Sequence, residues 1–150
     1  MKLKFYALIL LSTLSFLCQA QKSTSETPTK NSNIIIVSSK LPDEEAFKIA
    51  GRMLVKEGYK IGKSDANFYS ISTEMSQREN FSFDFGMNLS VIDGTILVRG
   101  EANSNGYKFA PYYGKGKGMI VPVVAFRFMN EFSQKLQTAI EGAMIKYGEE

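Results

Sequence analysis

The sequence predicts an α+β fold: a two-layer sandwich in which a mainly antiparallel sheet of about five strands carries two helices on one face. Three observations lead there. Phe81, Phe83, Phe85, Met87, Leu89 and Val91 alternate with Ser82, Asp84, Gly86, Asn88 and Ser90, the period of two that marks a strand with one buried face. Asp93-Gly94 follows, the dipeptide favoured in a two-residue type I′ hairpin, whose central residues both need positive φ. Two further stretches repeat apolar residues at three- and four-residue steps, giving helices with a single apolar stripe. One-faced strands and one-striped helices cover each other most simply as two layers. The expected order is β-α-β-β-β-β-α.

Residues 1–20 precede that order. Lys2 and Lys4, an apolar run from Phe5 to Phe16, and Cys18-Gln19-Ala20 form the pattern of a signal peptide. The run is short of the roughly 20 apolar residues that span a bilayer and contains Ser12, Thr13 and Ser15. Lipid anchoring through Cys18 would need small residues where Phe16-Leu17 stand. The expectation is an exported protein, periplasmic or secreted, with no transmembrane span after cleavage. Loss of Lys2 and Lys4 takes the formal charge from +3 to +1, so no nucleic-acid footprint survives.

Gln21–Ser32 is polar and contains one proline, a composition that reads as a flexible linker (21–32) to a single α+β domain (33–150). Within it, Ile34–Val37 is a β-branched run suited to a buried strand. Leu41-Pro42-Asp43-Glu44-Glu45 opens the first helix, with proline at its start and acids at the positive end of the dipole. Phe47, Ala50 and Leu54 supply its stripe, and Gly58 closes it. Tyr59–Ile61 and Phe68–Met75 read as strands about a turn containing Gly62, Ser64, Asp65 and Asn67, with Tyr69, Ile71, Thr73 and Met75 inward; Ser76–Asn80 reads as a polar turn. The Asp93-Gly94 turn then sets a register: Ile92 opposite Thr95, Val91 opposite Ile96, Leu89 opposite Val98, Met87 opposite Gly100, Phe85 opposite Ala102. Residues 103–118 read as a long loop, and the last helix as about Pro122 to Tyr147.

A helix ending in Gly58-Tyr59, a strand ending near Ser72-Thr73 and a terminal amphipathic helix together resemble small uncharacterised exported proteins and lipoproteins of Gram-negative, Bacteroidota-like cell envelopes. The resemblance spans roughly residues 33–147 and implies topology and envelope location, with no functional residue to carry over.

The composition excludes much chemistry. The chain has no histidine, and its single cysteine lies in the leader. Histidine triads, cysteine nucleophiles and ordinary zinc sites are therefore unavailable, and neither a metal nor a cofactor is expected. Asp84 and Glu101 are the best carboxylate pair, diagonal on the polar sheet face at about 7–8 Å between Cβ atoms, a separation that could flank a glycosidic bond. Read as solvated acids with Arg99 nearby, they need no catalytic role. Tyr107, Lys108, Phe109, Tyr112, Tyr113, Lys115 and Lys117 make the most unusual local composition. Aromatic faces there could stack on sugars or an apolar partner, and the lysines could attract anions; equally, Phe109, Tyr112 and Tyr113 could cover the core. The expectation is a non-enzymatic binding or accessory module, whose partner is an unidentified envelope protein or glycan. The alternatives are a small glycan hydrolase using Asp84 and Glu101, and a self-associating structural subunit.

Overall fold

Asp93 and Gly94 have φ of 51° and 68°, the positive pair that a type I′ turn requires. In a computed structural model describing residues 24–78, 80–114 and 120–150, the elements run β1 (Ile34–Ser38), α1 (Asp43–Lys56), β2 (Ile61–Asp65), β3 (Ser70–Thr73), β4 (Ser76–Gln77), β5 (Asp84–Ile92), β6 (Thr95–Ser104), β7 (Tyr107–Phe109), α2 (Val121–Ala139) and β8 (Met144–Gly148). β5 and β6 pair in the register predicted from the turn, from Ile92 opposite Thr95 to Phe85 opposite Ala102 and on to Asp84 opposite Asn103. The turn is also pinned from outside. Gly94 N–H donates to Asp43 Oδ1 at 2.6 Å, and Ser39 N–H and Oγ–H both donate to Gly94 O.

The sheet is antiparallel, in the order β2-β3-β5-β6-β1-β8. Two short strands extend its flanks, β4 along β5 and β7 along β6. Phe85, Met87, Leu89 and Val91 of β5 join Ile96 and Val98 of β6 and Ile35 and Val37 of β1 in one core. The same core contains Ala46, Ala50 and Leu54 of α1 and Ala125, Met129, Phe132 and Leu136 of α2, so both helices cover one face. The other face presents Asp84 and Asn88 to water, with Ser90, Arg99 and Glu101 half-exposed.

Several expectations need correction. The described residues hold eight strands where about five were expected. The first pair lies at Ile61–Asp65 and Ser70–Thr73, so Gly62 and Ser64 belong to a strand. The turn falls later because Asp65 Oδ1 accepts from Asn67 and Phe68 N–H, an Asx-type reversal. Of the expected inward set, Ile71 is buried whereas Met75 is 40 % exposed. Ser76-Gln77, read as turn, pairs with β5.

The largest error concerns the last helix, which ends at Ala139. Ile140 is already extended (φ −113°, ψ 111°) and Gly142 has φ 72°. Met144–Gly148 then pairs with β1, and Tyr147 O–H donates to Asn130 Oδ1 at 2.7 Å. Ala143 and Tyr147 happen to continue the helical spacing, but Ile145 and Tyr147 alternate inward as a strand.

Candidate functional site

Asn105-Gly106 repeats the chemistry of the first hairpin turn, with φ of 52° and 81°. It folds Tyr107–Phe109 back onto Ala102–Ser104, so the segment read as one long loop begins as a hairpin. This separates the predicted site residues. Tyr107 is 71 % exposed. Lys108 Nζ lies 2.7 Å from the Glu101 carboxylate, a solvated pair worth little on its own. Phe109 is half-buried against the core. Lys115 and Lys117 lie outside the described residues.

Beyond β7 the chain turns inward. Pro111 is fully buried, and its Cγ lies 2.9 Å from where a Cβ on Gly100 would sit. Tyr112 N–H donates to Pro122 O at 3.3 Å, tying the segment to the start of α2. Tyr113 N–H donates to Ser32 O at 2.8 Å, and Asn31 N–H returns a bond to Tyr113 O at 3.0 Å. Ser32 is wholly buried; its N–H donates to Thr29 O, and its Oγ sits 3.1 Å from both Thr29 N and Oγ1. Upstream, Ser25 and Tyr147 exchange two backbone bonds at the edge of β8. The described part of the polar segment, Thr24–Ser32, thus runs against the fold.

These contacts build a cleft of about 680 Å³. Tyr112, Tyr113 and Gly114 form one wall, Pro28–Asn31 another, and Ile120 and Val123 at the start of α2 a third. Its size and mainly apolar lining with a few polar groups suit a small ligand. Tyr113 is partly structural, its ring meeting Phe126 edge-on at 5.9 Å, with Tyr147 beyond at 6.4 Å from Phe126. Burial pushes the Tyr147 hydroxyl above its ordinary pKa. Thr29, Lys30 and Asn31 bring the polar groups.

The carboxylate pair has the expected placement. Asp84 pairs with Asn103 and Glu101 with Gly86, so the two are diagonal on the open face. Asp84 lines a polar hollow with Gln77, Ser82, Asn103 and Asn105, whereas Glu101 is held by Lys108. Among the described residues, no group of three acidic side chains gathers in a way that could hold a metal.

Two features escaped the sequence. The Pro28–Asn31 wall sat in a segment judged by polarity, although Pro28 and Asn31-Ser32 carry turn chemistry. Arg78 lies 4.3 Å over the Tyr59 ring and 5.7 Å from Phe128, a contact between residues distant in sequence that no local pattern announces. Comparison with family models and with curated proteins finds no match.

Proposed function

We propose that this is an exported envelope protein that binds rather than catalyses, and that its ligand enters the cleft walled by Tyr112 and Tyr113. The observation that carries the reading is the convergence of three separate segments on that cleft, two of them tied by reciprocal backbone bonds through Tyr113. Tyrosine beside Thr29, Asn31 and Lys30 suits a sugar ring: the ring stacks on the aromatic face, and its hydroxyls meet polar groups at the rim. An envelope glycan bearing a carboxylate would also meet Lys30. The leader of residues 1–20 supports delivery to that compartment.

Co-sedimentation of the domain from residue 21 onward with purified cell-wall sacculi tests the reading. Tyr112→Ala should abolish retention while leaving the melting temperature within a few degrees. Unchanged retention would remove the cleft from the mechanism.

A further inference from the structure

β2 ends the sheet on the side away from β1 and β8. Among the described residues, nothing pairs with its outer edge. Beside that edge the helix layer leaves a groove of about 470 Å³ between α1 and the β2–β3 pair. Phe47, Val55, Ile61 and Ile71 give it an apolar lining. Gly51 draws the helix close, since a Cβ there would sit 3.3 Å from Ile71 Cδ1. Val55 is nonetheless 62 % exposed. An unpaired strand edge and a gap in the layer above it are what an added strand fills: its backbone continues the sheet and alternate side chains enter the groove.

The charge around this place is mainly positive. Arg52, Lys56, Lys60 and Lys63 are exposed and make no ion pair among the described residues. Lys48, on the groove's rim, pairs with Glu44. Of the nearby acids, Glu57 pairs with Lys135, Asp65 accepts from the Asn67 and Phe68 backbone, and Glu74 lies beside Gly62 on the β3 side of β2, away from its outer edge. We propose that the β2 edge and this groove receive an extended segment of another protein in which acidic and apolar residues alternate.

Charge disfavours the other occupants. β2 is a five-residue strand centred on Lys63, so two-fold pairing of two copies over its full length would set Lys63 against Lys63, and like charges directly opposite are unfavourable. Residues 1–23 of this chain contain Lys2, Lys4 and Lys22 and no acid, and residues 115–119 read KGKGM; both are basic. Lysine on an edge also discourages aggregation, which explains Lys63 but not the exposed apolar groove next to it. The surface is separate from the tyrosine cleft and does not depend on it.

The probe is a capped seven-residue peptide alternating Glu and Val, with a Lys–Val counterpart, followed through the backbone amide NMR signals of the protein. The Glu peptide should shift the signals of residues 61–65 and 51–52 saturably and slow amide exchange in β2. The Lys peptide should do neither. The double variant Arg52→Glu/Lys63→Glu, both exposed positions, should bind the Glu peptide about tenfold more weakly, the worth of two surface charge contacts, and should accept the Lys peptide. Absence of saturable shifts, shifts centred elsewhere, equal response to both peptides, or undiminished binding by the double variant would each overturn the proposal.

Discussion

Gly100 is where the hairpin, α2 and the tyrosine segment meet, and adding one methyl there tests how they pack. A Cβ on Gly100 would lie 2.7 Å from Met129 Sδ, 2.9 Å from Pro111 Cγ and 3.0 Å from Phe85 Cε2. All three neighbours are fully buried, and Pro111 is a rigid ring. Overpacking of this kind costs about 1–3 kcal/mol. The restriction of the unfolded chain by alanine returns about 0.4–1 kcal/mol. The net range is about 0–2.6 kcal/mol, and because two fully buried neighbours lie under 3.0 Å from the added Cβ, Gly100→Ala should destabilise by about 1–2 kcal/mol, lowering the melting temperature by about 3–8 °C for a domain of this size. Gly86, on the opposite sheet face, is the control. A Cβ there would meet Met75 Sδ at 2.8 Å, but Met75 is 40 % exposed and can swing away. Gly86→Ala should stay within about 0.5 kcal/mol of the parent. Thermal melts followed by circular dichroism measure both. If Gly100→Ala is as stable as Gly86→Ala, the tyrosine segment is not packed on the core through Pro111, and the cleft loses its support.

Gly94→Ala should cost roughly 2–4 kcal/mol in a urea melt, combining the left-handed φ of 68° with carbonyl oxygens of Ser39 and Leu41 at 2.9 Å; a loss under about 1 kcal/mol would mean that the turn is not pinned. Burial raises the pKa of Tyr59, with Arg78 opposing, and of Tyr147. The unfolded chain then releases these protons first, near pH 10. The stability they contribute is full below pH 10 and is lost as pH rises through the folded values. Tyr59→Phe/Tyr147→Phe should flatten that alkaline decline in melts between pH 9 and 12, and an unchanged decline would assign it to other groups. Asp84→Asn/Glu101→Gln should leave sacculus retention unchanged; lost retention would move the binding surface to the open sheet face.

The sequence was most legible where two local signals agreed. Alternation over Phe85–Val91 sets the inward face and the Asp93-Gly94 turn sets the register, and the two agree with no distant residue needed, although β5 begins at Asp84 and leaves Phe81–Phe83 outside the expected strand. Legibility failed where one pattern fitted two structures. Ala143 and Tyr147 satisfy a helical period as well as Ile145 and Tyr147 satisfy a strand period, and Gly142 breaks the tie. The second hairpin was legible in principle, since Asn105-Gly106 is the same signal as Asp93-Gly94, but the aromatic and glycine composition after it masked the short strand. The cleft was half legible. Tyr112 and Tyr113 stood out by composition, but their partners on Pro28–Asn31 meet them only through pairing across about 80 residues of chain, as polar composition alone does not report.

The direct test of the binding account is a side-by-side retention measurement on sacculi with the domain from residue 21 onward, Tyr112→Ala and Asp84→Asn/Glu101→Gln, each shown folded by its melt. Loss of retention by the first and full retention by the second is the predicted result. Retention by Tyr112→Ala equal to that of the parent would contradict it.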